Sequence, residues 1–516
     1  MSDAATDRDE AMGPDQALGR DDALARLRAM QAADLPVHGG RTLAYVYDSG
    51  LPDVDRIGRA AVAAYAGSNG LDPTAFPSLL QMENELVGFA ADLLDAPGTC
   101  VGTVTSGGTE SVLLAVQGAR DSRPDLARPR MVLPATAHAA FHKAAHYFGV
   151  EAVLVPVGPD FRADPAAMAA AIDEDPDRTV LVVASAPSYA HGVVDPVTEV
   201  AAAAAARGIR CHVDACIGGW VLPYATRLGR SVPAWTFAVE GVTSISVDLH
   251  KYGYAPKGTS VLLHRTAGLR RPQYFASAAW PGYTMLNSTL QSTKSGGPLA
   301  GAWAVVQSLG DTGYELLSRE TFEAVDAIVA GLADIPALVL AAVPDSTLVA
   351  IATDDSCDAF TVCDEMATRG WYVQPQLSYA GHPPTIHLSV SAATNAHVDD
   401  FLAALAASVA AAQAAGPVSV DPGIAEFIGA LDPATLSDAD FDGLLAAAGL
   451  VGGDAAAGLD LPERMAEVNA MLDLASPAMR EALLVAFLDR LARPRRQGQG
   501  QRVAVDPAKA STESSE

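Results

Sequence analysis

Basic residues are scarce in this chain. Its 34 Lys and Arg face 61 Asp and Glu, a formal net charge of −27 at pH 7. A surface of that sign repels phosphate backbones, which argues against a nucleic-acid partner. The single basic cluster, from Arg490 to Arg502, sits in a Gly/Gln-rich stretch that reads as solvated tail. Cysteines are also few. The five, at 100, 211, 216, 357 and 363, are an odd number without framework spacing, which suits reduced thiols and a cytoplasmic setting. Long apolar runs are missing, because much of the 50% hydrophobic content is alanine. The longest such stretch, 401–415, reads as an Ala-rich helix behind Asp399 and Asp400, too short and too weakly apolar to span a bilayer. The N-terminus is acidic and lacks an apolar signal region, so neither a secretory leader nor a membrane anchor is expected.

What is present is an alternation of short apolar runs with helical patterns. Residues 131–133, 152–157, 180–184, 210–213 and 243–247 read as buried strands separated by helices, which predicts an α/β fold with a mainly parallel sheet flanked by helices. The expected organisation is an acidic flexible tail (1–24), an N-terminal arm (25–75) and a large domain (76–325). A small α+β domain (326–415), a helical extension with a polar linker near 451–456 (416–492) and a second flexible tail (493–516) complete it.

Within the large domain three segments carry chemistry. The run Ser-Ile-Ser-Val-Asp-Leu-His-Lys-Tyr-Gly (244–253) places Lys251 just past a strand end, where a lysine can form a Schiff base with a carbonyl. Upstream, Ile-Arg-Cys-His-Val-Asp (209–214) ends a buried strand in Asp214, suited to pair with a pyridine nitrogen. A carboxylate at that depth predicts a cationic partner. The third segment, Thr-Ser-Gly-Gly-Thr-Glu-Ser (105–111), opens a helix and can cradle a phosphate on backbone amides. It is neither a P-loop nor a dinucleotide fingerprint.

These runs, with Ala-His-Ala-Ala-Phe-His-Lys (137–143) and His-Gly-Val-Val-Asp-Pro-Val (191–197), resemble the pyridoxal-phosphate-dependent group II decarboxylase superfamily, most closely its sphingosine phosphate lyase branch. The resemblance implies a type I aminotransferase-like fold and pyridoxal 5'-phosphate as cofactor. It makes Lys251 the Schiff-base lysine, Asp214 the pyridinium partner and His138 the ring-stacking residue. Gly107, Gly108 and Thr109 become the phosphate cradle, and His250 a further phosphate contact. It also implies a homodimer with shared sites, in which Thr293 reaches the neighbour's phosphate.

Tyr47, His191 and Lys257 match substrate-side positions of the lyases, and Tyr47 and His191 are candidate bases. Asn69 is kept from the loop that meets a substrate phosphate, but Asp72 stands where the lyases have histidine. A carboxylate beside a phosphate is repulsive. Lys294 likewise replaces an arginine fork with a point charge.

The implied reaction is retro-aldol cleavage of an amino alcohol. Decarboxylation of an amino acid, transamination and a catalytically silent scaffold remain alternatives. The substrate is a small amine or amino acid. His138, His142 and His146 share a helical spacing, but no metal role is assigned to them.

Overall fold

The computed structural model describes residues 20–447 and 463–492. The polar linker at 451–456, the first nineteen residues and the tail from 493 lie outside the described residues. A helix, Arg20–Gln31, begins inside the segment expected to be a flexible tail.

The large domain is built on a seven-stranded sheet. Its strands are β1 (Val101–Thr105), β2 (Arg130–Pro134), β3 (Glu151–Val155), β4 (Thr179–Ser185), β5 (Arg210–Asp214), β6 (Val242–Val247) and β7 (Ser260–His264), in the order β1-β7-β6-β5-β4-β2-β3. Strands β2 to β6 pair in parallel, while β7 runs antiparallel to both β6 and β1. Every residue of β2, β4 and β7 is buried, as expected of strands covered by helices on both faces. A short hairpin of β8 (Phe275–Ser277) and β9 (Met285–Asn287) stands off the sheet.

The small domain has an antiparallel sheet of β10 (Leu338–Leu340), β11 (Leu348–Thr353), β13 (Thr385–Ser389) and β12 (Gln374–Gln376), in that order. The strand expected near 371–373 starts at Gln374, because Tyr372 is used in a bridge to Thr42 of the N-terminal arm. One helix, Gly296–Gly331, serves both domains and is kinked where Gly310 takes φ +57. Its Tyr314, Leu317 and Phe322 join the large core, and Ala324, Val325 and Ile328 the small one.

The alanine-rich helix is longer than expected. With the turn before it, it runs over Ala392–Ala415, 24 residues containing an 18-residue window of mean hydropathy 1.3, which by length and composition alone is enough to cross a membrane. Phe401, Leu405, Val409 and Ala412 bury one face of it in the small-domain core. Beyond it, helices Pro422–Ala430, Asp438–Ala447, Ala466–Leu474 and Pro477–Leu491 form a further module around Ile428, Phe441, Leu444, Met479 and Leu483.

Three strands carry a buried histidine bonded to a neutral side chain. His212 meets Ser244 and Ser246 at 2.9 and 3.2 Å, His264 meets Gln273 at 3.0 Å, and His387 meets Ser389 at 3.1 Å. Burial pushes them down to about 4, about 3 and about 4, so all are neutral imidazoles at pH 7. Below about pH 6.5 the unfolded chain binds protons that these folded histidines refuse, so stability falls with pH through that window. Buried Asp195, raised to about 6 chiefly by burial, binds its proton early and opposes the trend. With His191, also lowered to about 4 by burial, four bases against one acid predict a net loss of roughly 3–5 kcal/mol between pH 7 and 5.5. Urea unfolding midpoints at the two pH values measure it.

Candidate active site

The C-terminal ends of the parallel strands converge on one edge of the sheet, the usual place for a site in such folds. β1 leads into Ser106 and Gly107, β4 into Pro187 and Tyr189, β5 ends in Asp214, and β6 leads through Asp248 to His250 and Lys251. With Gly108, Thr109, Glu110, His138 and Cys216 they line a cavity of about 350 Å³. Lys251, Asp214, His138, Gly107, Gly108, Thr109 and His250 are thus brought together.

The cradle is shaped by close approach. Gly107 holds φ +152 before the helix Gly108–Asp121. A Cβ on Gly108 would come within 2.7 Å of both Asp248 Oδ2 and Cys216 Sγ. Only a glycine lets this helix start sit so low over β6. The free amides there present partial positive charge to the cavity, which suits a phosphate. Glu110 locks the turn. Its carboxylate accepts the Ser106 N–H at 2.6 Å and the Leu290 N–H at 2.8 Å, tying the cradle to the loop that bears Thr293.

Lys251 is paired with Asp248, not with Asp214. Its Nζ lies 2.9 Å from Asp248 Oδ2, at the i,i+3 spacing. Burial disfavours its charge, but the Asp248 carboxylate outweighs that and holds the ammonium above the usual lysine range. Asp248 is kept below the usual carboxylate range because the charges of Lys251 and His250 overcome its own burial. Its other oxygen is buried without a hydrogen-bond partner.

Asp214 lacks the cation expected beside it among the described residues. Its Oδ1 instead accepts the Cys216 N–H at 3.1 Å and faces the Ser246 hydroxyl at 3.4 Å. That leaves a carboxylate in a cavity wall with acceptor capacity to spare, as a protonated pyridine nitrogen requires. His138 precedes the helix Ala140–Phe148 and is held by Ala140 N–H donating to Nδ1 at 3.1 Å, so it does not share a helical face with His142 and His146. His250 Nδ1 accepts from Thr259 N–H at 3.2 Å.

Other expected residues lie outside the cavity wall. Lys257 is exposed, and its ammonium donates to the carbonyls of Tyr45 and His250 at 3.0 and 3.2 Å and lies over the Tyr47 ring at 4.9 Å. Burial of the ammonium, with Lys251 nearby, brings it down to about 8. Tyr47 packs edge-on to Tyr252 and is pushed above the usual phenol range by burial.

His191 stacks on Phe161 with ring centres 3.6 Å apart, and burial beside His382 takes it down to about 4. Thr293 is exposed. Asn69 forms a backbone bridge with Ser295, and exposed Asp72 caps a turn through Thr74. Lys294 is committed to Glu83 at 2.9 Å and to the Val104 carbonyl at 3.0 Å.

Asp248, Glu110 and Tyr189 were not singled out from the sequence. Asp248 had a usable signal, an acid three residues before the lysine in a loop. Tyr189 had none, since its place in the wall comes from stacking on His387 at 4.5 Å and from donating to Gln374 at 2.8 Å.

A lysine, an acid and a helix-start cradle around one cavity define a pyridoxal-phosphate site, and the residues present fit that group. The comparisons agree. The pyridoxal-dependent decarboxylase conserved domain matches residues 59–352, so the chain belongs to that family. A second description, "Pyridoxal-dependent enzyme, C-terminal putative HTH domain", matches residues 422–490. The sphingosine-1-phosphate lyase of Arabidopsis thaliana is 39% identical over 378 residues, 72% of this chain and 68% of that protein. That of Dictyostelium discoideum is 39% identical over 334 residues, 64% of this chain and 61% of that protein. The solved sphingosine-1-phosphate lyase of Burkholderia pseudomallei aligns with a TM-score of 0.73 at 33% identity, covering 78% of this chain and 93% of that one. A glutamate decarboxylase from Lactobacillus brevis shares the fold at 18% identity and a TM-score of 0.69. The protein is a pyridoxal-phosphate-dependent lyase.

Gly108→Ala is expected to weaken cofactor binding at least about 10-fold, since the new methyl must displace Asp248 or Cys216. Titration of cofactor-free protein with pyridoxal phosphate, followed by absorbance, reads it. Asp248→Asn removes the charge that keeps Lys251 protonated and leaves burial unopposed, so the lysine pKa falls. The pH profile for the rate of cofactor uptake should move to lower pH, and an unmoved profile would remove Asp248 from that role.

Proposed function

We propose that this lyase cleaves the carbon–carbon bond between the amine-bearing carbon and a hydroxyl-bearing carbon of an amino alcohol phosphate, releasing an aldehyde and an amine phosphate. The names of the lyase relatives point to that substrate class. The observation that carries it is the Tyr47–Lys257 pair beside Lys251. Retro-aldol cleavage needs a group to take the hydroxyl proton, and decarboxylation does not. Lys257, at about 8, is partly neutral near pH 7.5 and is the nearby group able to accept that proton. Tyr47 stays protonated, and its ring lies beneath the Lys257 ammonium at 4.9 Å.

Pyridoxal phosphate, when bound, supplies an electron sink for the pair released as the bond breaks. Lys251 would anchor it covalently, Asp214 would hold its ring nitrogen protonated, and His138 would pack against its ring. Gly107, Gly108, Thr109 and His250 bind its phosphate. The hydroxyl proton passes to Lys257, a carbonyl forms at the hydroxyl carbon, and the amine-bearing carbon receives a proton from the Lys251 ammonium. His191, packed on Phe161, is placed to shape the wall behind Tyr189 rather than to take that proton.

We also propose a homodimer. The β8–β9 hairpin and following loop expose Phe275, Trp280, Tyr283, Leu286 and Leu290, apolar surface of the kind that a second subunit covers. Glu110 links that loop to the cradle, so dimerisation would set Thr293 against a neighbouring site.

Turnover of sphingosine 1-phosphate with products identified by mass tests the reading. An aldehyde is expected. Carbon dioxide from amino acids with no aldehyde from the phosphate would indicate the decarboxylase outcome. Asp72 is held ionised by Thr74, below the usual carboxylate range. Asp72→His should therefore raise kcat/KM for the phosphorylated substrate roughly 5- to 10-fold. A loss of turnover would show that Asp72 binds a cation or hydroxyl.

A further inference from the structure

The C-terminal module is not needed to line the cavity, yet it grips an element that supports the cavity wall. Asp473, at the end of helix Ala466–Leu474, accepts both the backbone N–H and the hydroxyl of Ser378, at 2.7 and 2.8 Å. Arg480 of the next helix donates to the Ser378 carbonyl at 3.1 Å and to Asp473 Oδ1 at 3.2 Å. The donors and acceptors of one loop residue are thus held by an ion pair from the module. Two anchors fix the module behind this grip. Asp364 caps helix Ala466–Leu474 through Met465 and Ala466 N–H, each at 2.9 Å, and Glu365 pairs with Arg464 at 2.7 Å.

Ser378 belongs to the hairpin between β12 and β13. That hairpin is weak by itself. β12 is a three-residue strand with a single neighbour, and the tip turns through Ala380 and Gly381 at φ +51 and +85. Short edge elements of this kind open easily unless something holds them. On its far side the hairpin meets the catalytic wall. His382 packs on Phe161 with ring centres 4.6 Å apart, and Phe161 stacks on His191. Gln374 accepts from the Tyr189 hydroxyl, and the His387 ring stacks on Tyr189, which lines the cavity.

The charge of the module agrees with an inward task. Between residues 422 and 490 twelve Asp and Glu stand against three Arg, with no Lys. A helix-turn-helix that works on DNA depends on cationic phosphate contacts, which this composition does not supply.

We propose that Asp473 and Arg480 are positioning residues for the lyase reaction. By clamping Ser378 they hold the β12–β13 hairpin, and through Gln374 and His387 they hold Tyr189, the cavity-wall residue against which the substrate binds. The clamp acts on substrate, since none of its residues touches the phosphate cradle or Lys251. This rests on the assignment of the cavity as the lyase site.

The test uses full-length holoenzyme with Asp473→Ala, Asp473→Asn and Ser378→Ala. Hydrogen exchange is expected to quicken at least about 10-fold at amides 377–382 and 188–193 in Asp473→Ala. KM for sphingosine 1-phosphate should rise about 5- to 20-fold with kcat within about twofold, and the visible absorption of bound cofactor should be unchanged. Ser378→Ala, which cannot unfold the module, should show a smaller change of the same kind. Asp473→Asn, which keeps an acceptor for the Ser378 N–H, should recover part of the loss. Faster exchange confined to residues 463–492, or a looser hairpin with KM unmoved, would overturn the proposal. A parent enzyme that binds no cofactor would defeat the site assignment instead, and the exchange data would still report on the clamp.

Discussion

The buried pair between Lys251 and Asp248 is the constraint around which the site is organised. Two charges taken from water at the end of β6 hold together only if geometry and further polar contacts compensate their desolvation. The compensation comes from the start of helix Gly108–Asp121, which approaches within the thickness of a glycine and turns its positive end toward the carboxylate. His250 stands on the same side, with Nε2 3.7 Å from the carboxylate. The same helix start forms the phosphate cradle, so the lysine and the cradle are placed by one interaction.

Around that pair the sheet supplies the rest. Because the parallel strands release their loops on one edge, Asp214, Tyr189 and the glycine turn arrive from different crossovers at a common wall. The small domain adds no residue to the cavity lining but buttresses it. Tyr252 donates to the Val390 carbonyl at 2.6 Å across the domain boundary, and β12 and β13 back Tyr189. A lyase site of this type needs a rigid floor for the cofactor and an adjustable side for the substrate. The structure divides these between the parallel sheet and the hairpin.

Several elements were legible beforehand for a clear physical reason. Strands buried on both faces leave continuous apolar runs, and β2, β4 and β5 were located to within a residue or two. Lys251, Asp214 and the glycine turn are recognisable because each must stand at a strand end and each has a chemical reason for its residue type. The edge strands were harder. β12 is polar, half-buried and three residues long, and its position depends on Tyr372 being taken by the N-terminal arm. The length of the alanine-rich helix was also underestimated, because the turn at Ala392–His397 carries no helical periodicity yet continues into it.

Sequence by itself determined the cofactor chemistry, since a glycine turn, an acid and a lysine in that order commit the chain to one kind of site. It also determined the parallel core, through apolar runs whose burial is local. Tertiary structure alone decided which acid neutralises the lysine. Asp248 and Asp214 are both aspartates at strand ends, and only the approach of Gly108 and the direction of the Lys251 side chain distinguish them. It decided, too, that Lys294 is spent on Glu83, that His191 lies against Phe161, and that the last helices reach back to Ser378. Such pairings join residues from 30 to 211 positions apart, and no local pattern encodes a contact that exists only once the layers have packed.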